Sequence, residues 1–177
     1  MKLKFTGESL KKPAFYVLSS FFVISILSLT VFRNPGGLPP SDPDNGGLTF
    51  PDGFEAVVVV DSLGPARHLA VNTNGDIYVK LRFSAKGGNV AMRDTDNDGK
   101  ADIIQHFGSY KDVGSLANGM RIHKGYLYYS SSLAIYRNKL TPGKLIPESP
   151  METVLTDDHG HGAHWHITKP VSFDDKG

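Results

Sequence analysis

The 177-residue chain is 40% hydrophobic and 21% charged, with 19 glycines, 11 prolines and no cysteine. That length suits one domain with its own core. The missing cysteine excludes disulfides, thiolate metal sites, a cysteine nucleophile, a lipid-modified anchor and c-type haem in this stretch. The formal net charge is +1, and the basic excess lies in the first 33 residues, where Lys2, Lys4, Lys11, Lys12 and Arg33 face only Glu8. The remainder is slightly acidic and offers no basic footprint for phosphates, so nucleic acid is excluded as a partner.

Residues 14–32 read AFYVLSSFFVISILSLTVF, a run of 19 without a charge. As a helix it would span roughly 28 Å, close to the hydrocarbon thickness of a bilayer. The lysines before it predict that this end stays cytoplasmic and the rest of the chain is extracytoplasmic. The run is long and no small-x-small site follows it, which favours an uncleaved signal anchor; a cleaved signal peptide is the other reading. Residues 1–33 are therefore expected to form a cytoplasmic tip plus a membrane-inserting helix. Residues 34–49, rich in proline, glycine and aspartate, read as an exposed linker.

From residue 50 onward the pattern is short apolar alternations punctuated by turn signals. Residues 56–60 are a β-branched run. LAVNTNGDIYV reads as two strands around Asn74-Gly75, and GMRIHKGYLYYSS repeats that shape around Lys124-Gly125. KPVSFDDKG begins it a third time. Between these units lie the strand-like NVAMRD, ADIIQHF, LAIYRN and METVLT. Four short strands per period of about fifty residues predict an all-β fold, a β-propeller. One twisted sheet cannot cover both its faces, and stacking the next blade buries one of them. A β-sandwich would also show many short strands, without the self-similarity. Residues 50–177 supply about two and a half blades, whereas propellers close with roughly four to eight, so the chain is expected to belong to a longer ring.

Three constellations carry candidate chemistry. DHGHGAHWHITKP places His159, His161, His164 and His166 just before a strand. Histidine accepts a proton near neutral pH, so a general base at a channel mouth is one reading. Metal binding and a solvated polar loop are the others. DTDNDGKAD alternates Asp94, Asp96 and Asp98, then Gly99, with Asp102 following. This is the D-x-D-x-D-G calcium pattern, but the twelfth position is Gln105 rather than glutamate; a plain turn at Asn97-Asp98-Gly99 is the alternative. Arg67 and His68 precede an inner-type strand, where they would either line a channel and hold an anion or cap the strand.

Taken in order, GFEAVVVVDSLGPARHLAVNTNGDIYVKLR, GNVAMRDTDNDGKADIIQHFG, GMRIHKGYLYYSSSLAIYR and HITKPVSFDDKG resemble the start of the glucose/sorbosone dehydrogenase family. The resemblance implies a six-bladed propeller with pyrroloquinoline quinone (PQQ) and Ca²⁺ near its channel. It implies oxidation of a sugar or aldehyde, with His166 as the base and His166 and Lys169 beside the cofactor. A c-type cytochrome or a quinone is a candidate electron acceptor, which the sequence itself does not specify. Trp165 stands where part of the family has an acidic residue, and the expected glutamine is not evident around 115–118. Most residues that would hold PQQ and its calcium fall beyond Gly177, and the Asp94 loop is not the family's cofactor calcium site. The rival reading is a surface-anchored, non-catalytic propeller that binds glycans or proteins, with Trp165, Tyr126, Tyr128 and Tyr129 as stacking groups.

Overall fold

The computed structural model describes residues 37–82, 88–109, 118–157, 169–174 and 176. The run 14–32 lies outside them; among the described residues no helix is long and apolar enough to cross a membrane. All strands belong to a compact unit, Pro39–Gly177.

Among the described residues eight strands form two antiparallel sheets, each a meander in chain order. The first sheet contains β1 (Ala66–Val71), β2 (Ile77–Leu81), β3 (Asn89–Arg93) and β4 (Ile103–Phe107). The second contains β5 (Met120–His123), β6 (Tyr126–Ser130), β7 (Ala134–Lys139) and β8 (Glu152–Thr156). The two inner hairpins turn where the sequence signals them. Gly75 sits at φ +90°, and the Lys124-Gly125 pair takes φ 44° and 76°, a left-handed two-residue turn that suits the twist of paired strands.

Period-two alternation decides what each face buries. Tyr78 and Ala91 of the first sheet pack against Met120, Leu127, Tyr129, Ala134 and Tyr136 of the second, forming the main core. The Tyr78 hydroxyl donates to the Leu145 carbonyl at 3.0 Å, tying one sheet to the connection after β7. Burial, reinforced by the charge of Asp76, pushes the Tyr78 phenol up to about 12. Val79, Leu81, Val90 and Met92 point to the opposite face, where Val60 and Leu63 cover them.

Two expectations change here. The β-branched run 56–60 is not a strand: it crosses the outer face of the first sheet as an extended arm. Its polar backbone is met piecemeal, by Asp42 Oδ2 on Val58 N at 2.6 Å, Asn45 Oδ1 on Ala56 N at 3.0 Å and Ala101 N on the Val59 carbonyl at 2.8 Å. Two of these bonds come from Asp42 and Asn45, within the largely exposed stretch read as a linker. The third repeat, residues 169–174, is not a strand within the described residues, although Phe173 stacks on His123 at 4.1 Å between centroids and packs against Tyr128 at 4.7 Å.

Residue 119 is where the start of β5 meets this returning segment. A Cβ on Gly119 would overlap the Lys169 carbonyl oxygen and come within 2.8 Å of Ser130 Oγ. Gly119→Ala is therefore expected to cost at least about 1–3 kcal/mol, the usual penalty of overpacking where backbone cannot yield. Urea denaturation measures it, and an unchanged midpoint would mean that the segment does not pack there.

Candidate functional site

Antiparallel pairing sorts the chemistry to two ends of the sheets. At one end β1, β3, β5 and β7 begin and β2, β4, β6 and β8 finish. The two sheets share this polarity, because His68 at the start of β1 reaches Asn118 just before β5, with Nδ1 2.6 Å from the carbonyl oxygen. Donation from Nδ1–H leaves Nε2 as the acceptor nitrogen of the neutral ring. Arg67 is exposed beside it. Asp157 and Lys169 lie at this end too, flanking residues 158–168. The four histidines, His166 included, and Trp165 belong to that stretch and lie outside the described residues.

Sequence reasoning missed two further groups at this end. Lys80 and Asn89 are cross-strand partners on β2 and β3, and both are fully buried. Lys80 Nζ lies 3.4 Å from the Leu81 carbonyl. Neither polar atom of the Asn89 amide has a partner among the described groups. Alternation held the signal: Lys80 follows Tyr78 by two, which puts it on the core face, where a lysine needs a reason.

Lys169 Nζ forms an ion pair with Asp157 Oδ2, the two side chains only 10% and 20% exposed. Its ammonium is thus engaged by the protein itself.

The aspartate loop connects β3 to β4 and so lies at the other end, about 15 Å away by strand length. Asp94, Asp96 and Asp102 each place an oxygen within 4.8 Å of the others. Asp98 is not in this trio; its Oδ1 accepts from Lys100 N at 2.8 Å. The loop is organised largely by its own amides. Asp94 accepts from Asn97 N at 2.7 Å and Gly99 N at 2.8 Å. Asp102 Oδ2 accepts both the amide and the hydroxyl of Thr95 at 2.6 Å, and these bonds hold its carboxyl below the usual range. The remaining lone pairs suit a hard cation such as Ca²⁺.

The tyrosines considered for sugar stacking are taken up by packing. Tyr129 is fully buried and donates to Asn138 Oδ1 at 2.6 Å. Tyr128 is covered by Phe173, and the Arg137 guanidinium lies 4.4 Å over the Tyr126 ring.

No protein-family model and no curated protein matches the chain. Solved structures do match. The holo form of the pyranose dehydrogenase PQQ domain from Coprinopsis cinerea aligns at TM-score 0.58 and 18% identity, over 72% of this chain and 29% of that one. The two sheets are blades of that propeller fold. A Trichoderma reesei protein of Carbohydrate-Active Enzymes Family AA12, in an iodide structure, aligns at TM-score 0.53 and 19% identity, over 71% of this chain and 31% of that one. The chain thus spans about three tenths of the length of the structures it resembles.

Proposed function

We propose that this chain contributes the first blades of a six-bladed, PQQ-dependent dehydrogenase acting on a sugar or aldehyde outside the cytoplasm. The observation that carries the reading is the fold likeness to a PQQ domain named for pyranose dehydrogenation, over 72% of this chain. The histidine-bearing stretch adds to it, because its flanks Asp157 and Lys169 lie at the end of the sheets where Arg67 and His68 also sit.

PQQ is an anionic, carboxylate-bearing quinone, and the groups at this end fit it in chemical kind. Arg67 offers a planar fork suited to a carboxylate, and the orphaned Asn89 amide leaves a donor and an acceptor unspent. When bound, PQQ supplies the two-electron acceptor, and Ca²⁺ supplies Lewis acidity. The protein's task is the proton. His166 takes it from the substrate hydroxyl, which needs a neutral imidazole within hydrogen-bond reach. Lys169 enters through its ion pair with Asp157. A c-type cytochrome or a quinone would then receive the electrons.

The test is dye reduction by the complete protein, since this chain alone is expected to be inactive, with PQQ, Ca²⁺ and a panel of aldoses and sorbosone. Turnover that requires all three components supports the reading. A protein that binds glycans but turns over none of the panel belongs to the non-catalytic class instead.

The Asp94, Asp96, Asp102 trio is assigned a separate Ca²⁺ that ties the β3–β4 connection and does not touch the quinone. Ca²⁺ in the range of about 0.1–1 mM is expected to raise the thermal midpoint, and Asp96→Asn to remove the rise. No shift by about 10 mM would leave the loop as a turn built from its own amides.

A further inference from the structure

No residue from 37 to 65 is buried, whereas β2 and β3 beneath the arm are almost wholly so. The arm holds itself together with its own bonds. Asp42 N donates to the Ala56 carbonyl and Asn45 N to the Asp42 carbonyl, both at 2.9 Å. The Asp42 and Asn45 side chains take the Val58 and Ala56 amides. Among the described residues its polar ties to the first sheet are fewer. Ala101 N donates to the Val59 carbonyl at 2.8 Å, and Lys100 Nζ lies 3.2 Å from Asp42 Oδ1. Both ties grip the β3–β4 connection, where Gly99 is the seat: a Cβ there would come within 2.8 Å of Pro39 and 3.0 Å of Val57. Apolar contact under the arm is incomplete as well. Val60 and Leu63 cover the outer face, but hollows of about 720 and 250 Å³ lie along the arm, walled by it on one side and by the sheet on the other. Atoms lining a hollow lack partners there and forfeit that dispersion attraction. The arm leads to Pro65, whose carbonyl accepts the Arg82 amide at 2.9 Å. Just before that anchor, Ser62 and Gly64 both take left-handed backbone, at φ 58° and 103°.

We propose that residues 39–60 form a strap that opens as one unit about residues 61–64 while both sheets stay folded. A segment with few buried apolar contacts and exposed hydrogen bonds opens at a lower free energy than the core. Opening releases the Ala101 amide and uncovers Leu69, Ile77, Val79 and Met92, which line the larger hollow together with Arg67 and His68. The strap thus governs access to this face. The inference goes beyond the reaction proposed above and does not depend on it.

Native-state hydrogen exchange of the full chain, read amide by amide in rising urea, tests it. Ala56, Val58 and Ala101 are expected to share one opening equilibrium, with protection at least about tenfold below that of the β2 amides and a shallower urea dependence. Lys100→Met should speed exchange at all three about twofold to fivefold, the size of an exposed pair, and leave β2 unchanged. Gly99→Ala, which crowds the seat, should speed it about tenfold or more. Equal protection and equal urea slope at these three amides and in β2 would overturn the strap, because the arm would then open only when the sheets unfold. Three unrelated exchange rates would overturn it too, since they mean piecemeal fraying. So would unprotected Ala56 and Val58 amides, which mean an arm that is not seated at all. The parent chain decides each of these outcomes by itself, even if Gly99→Ala fails to fold.

Discussion

Asp76→Ala is expected to destabilise the chain by about 2–4 kcal/mol, because it removes one partner from a buried, bidentate pair. Asp76 is 1% exposed and receives Arg93 Nε at 2.6 Å and Nη2 at 2.8 Å. Asn74 donates to it as well, at 2.8 Å, and Arg93 reaches on toward the Gly143 carbonyl. These groups clamp the β1–β2 turn to the end of β3 and to the connection after β7. The figure stays below that of a fully enclosed pair because Arg93 is 27% exposed and regains water when left alone. Urea midpoints give the number, and a cycle with Arg93→Met isolates the pair. A loss under about 0.5 kcal/mol would reduce it to an ordinary surface contact.

The same pair sets an acid limb. Burial by itself would raise the Asp76 carboxyl, but the hydrogen bonds from Arg93 and Asn74 and the charge of Arg93 outweigh it, so the folded-state pKa is lowered. A lowered carboxyl contributes stability that is complete above its unfolded value, near 3.9, and is lost as pH falls through the folded value. Parent and Asp76→Ala stability should therefore run parallel from neutrality to about pH 5 and converge below it.

His166→Ala is expected to reduce sugar-dependent dye reduction by about 10²–10⁴-fold, the usual contribution of a positioned base, with PQQ affinity little changed. The loss should fall on kcat, since the proton moves in the transition state and not on binding. Normal turnover in the variant would remove His166 from the mechanism.

Much of the fold is legible in the sequence because it depends on local signals. Asn74-Gly75 and Lys124-Gly125 need left-handed backbone, and the apolar alternation around them leaves little choice but hairpins. Hence eight strands appear where four per period of about fifty were expected. Residues 56–60 misled because β-branched composition reports burial against a sheet and not membership of its ladder. The Asp76–Arg93 pair was invisible, since its partners are 17 residues apart and only a folded hairpin brings them together. Lys80 was legible in the alternation, two residues after Tyr78 on the core face, whereas Asn89 becomes its partner only once β2 pairs with β3. The aspartates were found by pattern, yet which of them converge depended on backbone geometry, and Asp98 turned to Lys100 instead.

The central claim is that Arg67 and its neighbours at the histidine end receive an anionic quinone. Equilibrium titration of the complete propeller, of which this chain supplies the first blades, with PQQ in about 1 mM Ca²⁺ and followed by cofactor absorbance, tests it most directly. The account predicts saturable one-to-one binding that Arg67→Ala weakens about tenfold or more and that substitutions in the Asp94 loop leave unchanged. Folded protein that shows no saturable PQQ binding, or binding that Arg67→Ala leaves intact while Asp96→Asn abolishes it, would contradict the account.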